Sequence, residues 1–194
     1  LEGWTTSSIA KTLQRLTNKY PSITLTILSG NADDIKWKID NGLVDVGFLL
    51  EPTSTEKYNV EKIGFPERWM MLTQSDSELA ELDEVSPEIF KKQRILISER
   101  PEVRQFIADW AGCQVSDLEI IGGFNLGFHL FEIARAGIGE AVVTEGALIR
   151  DYPDLKAIPL SPEVKTLSVL AWKKNIPLTP LTRAFIKQYL QDNE

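Results

Sequence analysis

The sequence predicts an α/β fold with two subdomains and a central cleft. Short apolar runs alternate with amphipathic segments, an order typical of strands and helices in a parallel sheet. This order occurs twice, before and after a polar stretch over residues 74–84. Hydrophobic residues make up 43% and charged residues 25% of the chain, as in ordinary globular proteins. Because open parallel sheets bind ligands beyond the carboxyl ends of their strands, two such sheets facing each other predict a binding cleft.

The first set of elements follows directly from the spacing of apolar residues. Residues 5–8 are all Ser or Thr, which favour helix starts, and apolar residues then recur at helical spacing. Residues 23–27 alternate apolar side chains with Thr, which predicts a strand. A second helix is predicted from Asn31 to Gly42, and the apolar run 43–50 is typical of a strand covered on both faces. We therefore expect a parallel sheet whose first strand is absent from this sequence.

The second set of elements lies after the polar stretch, which we interpret as the crossing between subdomains. The further predicted strands are residues 69–72, 95–97, 118–121, 138–143 and 167–172. The further predicted helices begin at Ser86-Pro87, Pro101, Asn125 and Thr179-Pro180. Two Rossmann-like subdomains result. Subdomain I comprises residues 1–72 and 168–194, and subdomain II comprises residues 73–167.

Charge and composition exclude several classes of partner. The net charge is −7, and no run of Lys or Arg is longer than two. A domain that binds DNA phosphates carries a basic face, so this sequence is a poor binder of nucleic acid and of anionic membranes. No apolar stretch is long enough to span a membrane. The single cysteine, Cys113, excludes an internal disulfide and fits the reducing cytoplasm, where we expect the protein to reside.

Residues suited to catalysis or metal binding are few. The only histidine, His129, falls in a predicted helix and is interpreted as a surface or cap residue. Cys113 has no second histidine to act as its base, and one His with one Cys is too small a set for zinc. Gly137 and Gly139 lack the third glycine of a dinucleotide-binding loop. We therefore expect neither an enzyme nor a bound metal or cofactor.

A candidate ligand site comes from polar residues at the predicted helix starts. Each start offers unpaired N–H groups and a partial positive charge, which suit a small polar or anionic ligand. Arg100 is the cation among them and the candidate partner of a carboxylate or phosphate, although it could also face solvent. For each of the others, the alternative is a helix cap that contacts no ligand. The candidates are Thr5, Thr6, Asn31, Ser98, Arg100 and Asn125.

Several short motifs together resemble the effector-binding domain of LysR-type transcriptional regulators. They are YPSI at 20–23, SGN at 29–31, NGLVDVG at 41–47, ARAGIG at 134–139 and WKK at 172–174. Each motif is weak alone, but their order and spacing cover essentially the whole chain. The resemblance implies a type 2 periplasmic-binding-protein-like fold that is not an enzyme and binds a small-molecule effector between its subdomains.

The resemblance also implies contacts and partners. The implied effector contacts are Glu2 and the residues up to Thr6, Gly30, Asn31, residues 98–101 and Asn125. Family members pair as homodimers, or as tetramers when complete, and Trp37 would lie either in such an interface or in the core. DNA binding in the family belongs to an N-terminal winged helix-turn-helix domain that this sequence does not contain.

Three functions stay open from the sequence. We favour the sensor domain of a LysR-type regulator, in which the effector shifts an equilibrium by its differential affinity for two states. The alternatives are a stand-alone solute-binding protein of a transporter and an enzyme on the same scaffold. An upstream helix-turn-helix would decide for the sensor, an upstream signal peptide for the transporter protein, and turnover of a ligand for the enzyme.

Overall fold

The computed structural model describes residues 5–148 and 152–193. Helices and strands follow one another broadly in the order that the sequence predicts. In chain order they are α1 (Thr5–Lys19), α2 (Ala32–Asp40), β1 (Gly47–Leu50), β2 (Tyr58–Gln74), α3 (Pro87–Phe90), β3 (Arg94–Ser98), α4 (Pro101–Ala111), β4 (Glu119–Phe124), α5 (Leu130–Arg135), β5 (Glu140–Thr144), β6 (Leu155–Pro159), β7 (Lys165–Lys173) and α6 (Pro180–Asp192). None of the helices in these two ranges is both long enough and apolar enough to cross a membrane.

The chain divides into two compact units. Unit 1 is Leu1–Phe65 with Leu167–Glu194, and unit 2 is Pro66–Thr166. The boundaries fall within the long strands β2 and β7, so both strands contribute to both units. The polar residues 74–84, which the sequence suggested as the crossing, lie inside unit 2.

Unit 1 packs its helices around β1 and β7. These strands pair antiparallel, with Gly47 opposite Ala171, and β7 also lies beside β2. Helices α1 and α6 share a core with Leu170 and Tyr189, both fully buried, and the Tyr189 hydroxyl is 2.9 Å from the Ser8 hydroxyl. Helix α2 contributes Ile35 and its neighbours to a separate core with β1 and β7.

The strand predicted over residues 23–27 is absent, and that prediction was wrong. The chain from residue 23 to residue 31 has no strand assignment. Alternating apolar side chains favour an extended chain, but a strand also requires a neighbour to accept and donate its backbone hydrogen bonds. Ile23 still packs against the core of unit 1, whereas Ile27 is 75% exposed. The apolar run 43–50 likewise forms a strand only over Gly47–Leu50.

Unit 2 contains a mixed sheet rather than a purely parallel one. Its strand order is β6-β2-β5-β3-β4. Strand β3 runs parallel to β4 and β5, whereas β2 runs antiparallel to β5 and β6. Helix α4 packs on this sheet through Ile107, which is fully buried with Ile95, Ile97 and Phe90.

The connection between β3 and α4 contains Ser98 and Arg100, two of the predicted ligand contacts. Because β3 and β4 are parallel, with Ser98 opposite Phe124, the carboxyl ends of both strands meet at one edge of the sheet. Pro101 opens α4, since its fixed φ suits the first helical position and its missing N–H costs nothing there. Gly112 ends α4 with a left-handed φ of 65°. The chain thus turns sharply at the sheet edge and returns along the helix.

Candidate functional site

Backbone hydrogen bonds fix the turn between β3 and α4. The Glu99 amide donates to the Phe124 carbonyl at 3.0 Å, which ties the turn to β4. The Arg100 amide donates to the Ser98 hydroxyl at 3.3 Å. These two bonds hold the backbone of the turn in place, and Arg100 is the N-cap residue of α4. We call Ser98, Arg100 and Arg104 the α4 corner.

Two guanidinium groups occupy the α4 corner. Arg100 is only 6% exposed, and its Nη2 lies 3.9 Å from the Glu102 carboxylate. The Arg104 Nε donates to the Ser98 carbonyl at 3.0 Å. A helix N-terminus carries partial positive charge, which favours acidic side chains or anions nearby. Two arginines at the start of α4 depart from that preference. Such departures from local rules are typical of functional sites, and this one suits a negatively charged ligand.

The side chain of the α4 N-cap residue, Arg100, makes no cap hydrogen bond to the helix, which makes the start of α4 different from that of α2. At α2 the Asn31 Oδ1 accepts from the Asp34 amide at 2.9 Å, and the Asp34 Oδ2 accepts from the Asn31 amide at 3.2 Å. This reciprocal pair is a capping box. The Asn31 side-chain oxygen therefore serves its own helix. The predicted role of Asn31 as an effector contact stays a prediction.

Asn125 lies at the same sheet edge but does not cap a helix. Its Oδ1 accepts from the next amide, that of Leu126, at 2.9 Å. A 3-10 turn over Gly127–His129 follows, with Leu126 at its cap position, and only then does α5 begin. The predicted cap was wrong because the Asn125 side chain bonds to the adjacent residue instead of reaching a helical amide. Its exposure beside β4 keeps it available as a ligand contact.

The other predicted contacts belong to unit 1. Thr5 and Thr6 begin α1, as expected from the Ser/Thr run, and Thr6 is exposed. Gly30 directly precedes the capping box, and a Cβ added there would lie 2.8 Å from the Asp34 Cβ. Glu2 lies outside the described residues. The structure thus joins Ser98 to Arg100 by a hydrogen bond, and the roles of all these residues as effector contacts stay predictions.

Arg104 is the corner residue that the sequence analysis missed. It follows Arg100 by four residues, a spacing that puts two side chains on the same face of a helix start. A Cβ added at Gly123 would lie 2.8 Å from the Arg104 Nη2, so the guanidinium packs directly on the β4 backbone. The i, i+4 spacing of the two arginines was the available signal.

The described residues offer little for catalysis. Burial raises the pKa of the Cys113 thiol, and the nearby Asp117 carboxylate raises it further, so the reactive thiolate is disfavoured. His129 is exposed. Over residues 5–148 and 152–193, no group of three or more His, Cys, Asp or Glu side chains is placed to hold a metal ion. The chemistry that the α4 corner supports is binding of an anion.

The fold is that of the type 2 periplasmic-binding-protein-like ligand-binding domains, and the predicted fold class is confirmed. The chain belongs to the family described as LysR substrate binding domain, whose profile matches residues 2–193. The resemblance drawn from the short motifs is therefore confirmed. This family consists of regulator domains and is not a class of enzymes.

Solved structures of LysR-family regulators are similar to the chain in fold. The CcmR regulatory domain from Synechocystis PCC6803, in complex with 2-PG, has a TM-score of 0.80 at 15% identity over 97% of this chain and 92% of that one. The effector binding domain of QuiR, in complex with shikimate, has a TM-score of 0.80 at 15% identity over 95% and 90%. The LysR family transcriptional regulator CbnR has a TM-score of 0.74 at 13% identity.

The match to CbnR covers 96% of this chain but only 65% of the CbnR chain, so this chain corresponds to about two thirds of that regulator. No curated protein sequence matches the chain. At these identities the solved structures establish the fold, while the family profile establishes membership.

Proposed function

We propose that this chain is the effector-sensing domain of a LysR-type transcription regulator and that its effector carries an anionic group bound at the α4 corner. The observation that carries the proposal is the buried guanidinium of Arg100, the N-cap residue of α4, whose side chain does not cap that helix. Backbone N–H groups and the helix dipole favour an anion at this position. Arg adds a planar fork of donors that matches a carboxylate or phosphate.

Sensing is favoured over solute delivery to a transporter by the family membership. The CcmR and QuiR domains were solved in complex with 2-PG and shikimate, respectively, which supports a small-molecule effector here. In the longer protein, effector binding shifts the population of two states, and an N-terminal winged helix-turn-helix domain contacts DNA. The chain's own net charge of −7 agrees with DNA contacts made elsewhere, in a protein that acts in the cytoplasm.

The test is a thermal-shift screen of carboxylate and phosphate metabolites against the chain. A ligand at about 100 times its dissociation constant adds about 2.7 kcal/mol to the free energy of unfolding, which raises the melting temperature. In Arg100→Ala the stabilisation should fall from about 2.7 to about 0.4 kcal/mol or less. It should persist in Arg183→Ala, a matched control at an exposed position of α6. A hit that shifts Arg100→Ala as much as the wild type would place the anion elsewhere.

We further propose that the chain forms a homodimer through α2. Trp37 in α2 is 59% exposed, so the alternative of core packing does not hold, and Leu43 just beyond the helix is also exposed. An exposed tryptophan is a common anchor of protein interfaces. Sedimentation equilibrium should show a dimer that Trp37→Glu weakens and that Ile176→Glu, a matched exposed apolar control, leaves intact. A monomeric wild type would refute this.

We also propose that the domain releases its effector unchanged. Support comes from the disfavoured thiolate of Cys113 and from the family, which is one of regulators. A hit from the screen, incubated with excess protein for hours and analysed by mass spectrometry, should be recovered intact. Conversion of the ligand by the purified chain would revive the enzyme hypothesis.

A further inference from the structure

Glu67 is a carboxyl group buried at one corner of unit 2. It lies in β2 and is only 3% exposed. Two residues further along β2, Trp69 pairs with Thr144 of β5, and the chain then enters the 3-10 helix Glu145–Ala147, here called the 145–147 turn. A Cβ added at Gly146 would lie 2.5 Å from the Glu67 carboxyl carbon. The 145–147 turn therefore packs directly on this carboxyl and leaves no room for water between them.

The surroundings of Glu67 do not balance a negative charge. The Thr144 hydroxyl and the Gly146 amide hydrogen-bond to the carboxyl, but its Oε2 has no partner among the described residues. The charged group that acts on it from the packed turn is Glu145, which is also acidic. Arg68, the next residue of β2, is engaged by Glu145: its amide and its Nε each donate to that carboxylate at 2.9 Å.

The direction of the proton linkage follows from these contacts. Burial raises the pKa of Glu67, the hydrogen bonds from Thr144 and Gly146 oppose the rise, and the Glu145 charge adds to it. A carboxyl whose pKa is higher in the folded than in the unfolded chain stabilises the fold fully below its unfolded pKa, about 4.3. That contribution is lost as the pH rises through the folded pKa.

We propose that Glu67 is a pH-sensitive latch: protonated, it lets the 145–147 turn pack against β2, and its ionisation releases that turn. An ionised carboxyl needs water or a cation, because burying an unpaired charge is costly. Since the Gly146 contact excludes water and Arg68 is held by Glu145, hydration of Glu67 requires the turn to move away. The latch does not depend on which effector the domain binds.

The test is hydrogen exchange of the chain between pH 5 and pH 8, corrected for intrinsic exchange rates. The Leu148 amide, which donates to the Glu145 carbonyl, reports opening of the 145–147 turn. Between the pKa of a hydrated glutamate, about 4.3, and the raised pKa of Glu67 in the closed turn, opening releases one proton, so the protection of this amide should fall by up to about tenfold per pH unit. Above the raised pKa the loss should level off, because the carboxyl is then ionised in both states. Amides of β3 should show no such loss. A wild-type chain without this dependence overturns the proposal.

Variants identify the group that titrates. In Glu67→Gln the pH dependence of the Leu148 amide should disappear, and the infrared band of protonated carboxyl groups should lose the share that Glu67 contributes. Glu140→Gln is the matched control, because burial also raises the pKa of Glu140 but it lies at the opposite end of β5 and should leave the turn's dependence intact. An unchanged dependence in Glu67→Gln overturns the proposal.

A second variant covers the case in which Glu67→Gln does not fold. Glu145→Gln removes the neighbouring negative charge, so the midpoint of the transition should move to lower pH. An unmoved midpoint in a folded Glu145→Gln chain counts against the latch, because the titrating group would then not lie beside Glu145.

Discussion

The starts of α2 and α4 look alike in sequence and are built differently. Each follows a turn and begins after a polar residue, Asn31 in one case and Arg100 in the other. Asn31 finds its partner within its own helix, at Asp34, and closes the helix end. Arg100 is a donor and cannot accept from the α4 amides, so that end has no side-chain cap. A polar helix start is therefore a stronger ligand candidate where the side chain of its N-cap residue does not accept from the helix amides.

Arg100→Ala should have the largest effect and tests most strongly whether the starts of α2 and α4 differ in ligand binding. Truncating one partner of a buried, hydrogen-bonded charge pair costs about 2–5 kcal/mol, and a loss near the lower end of that range lowers effector affinity roughly 100-fold. Calorimetry with a screening hit measures this, and Arg183→Ala should bind like the wild type. An affinity within twofold of wild type for Arg100→Ala would remove the distinction between the two helix starts.

Arg104→Ala should have the second-largest effect. Arg104 is partly buried and already donates to the Ser98 carbonyl, so we expect a loss of about tenfold in affinity, or ~1.4 kcal/mol. The same calorimetric titration measures it, and Arg104→Lys should recover part of the loss by restoring the charge. A larger loss for Arg104→Ala than for Arg100→Ala would make Arg104 the principal anion contact.

Asn31→Ala should act on stability rather than on binding. Loss of an N-cap costs about 1 kcal/mol, and urea denaturation measures that loss. Thr179→Ala is the matched control, because Thr179 caps α6 by accepting from the Thr182 amide at 3.1 Å. An Asn31→Ala variant with wild-type stability and weakened effector binding would show that α2 also presents a ligand contact.

Ser98→Ala should have the smallest effect of the four. Its hydroxyl accepts from the Arg100 amide at a long 3.3 Å, so its loss should cost roughly 0.5 kcal/mol. Affinity should fall only a few-fold, because the turn stays tied to β4 by the Glu99 amide. Ser98→Gly, which also removes the Cβ, should cost more in urea denaturation. A Ser98→Ala loss as large as that of Arg100→Ala would make the hydroxyl a direct effector contact.

Local signals in the sequence were sufficient for most of unit 2. The run 95–97 is apolar because both faces of β3 are covered, and Pro101 and Gly112 mark the two ends of α4. The family motifs likewise needed no structure. These features depend on residues close together in the chain, which is why sequence patterns captured them.

Features that depend on distant partners were not predictable in the same way. Residues 23–27 have a strand pattern, yet strand formation depends on a neighbour elsewhere in the chain. Asn125 is a residue type typical of caps, but its side chain bonds to the adjacent amide. The sequence pattern also does not predict the burial of Glu67, because the 145–147 turn, which is distant in the chain, covers this carboxyl.

The most direct measurement is a nuclear magnetic resonance titration of the isotope-labelled chain with an anionic hit from the screen. We expect the largest backbone amide shifts at Glu102 to Arg104, in the first turn of α4, and we expect Arg100→Ala to abolish them. Saturable shifts confined to other parts of the chain, with the first turn of α4 unmoved, would contradict an effector site at the α4 corner.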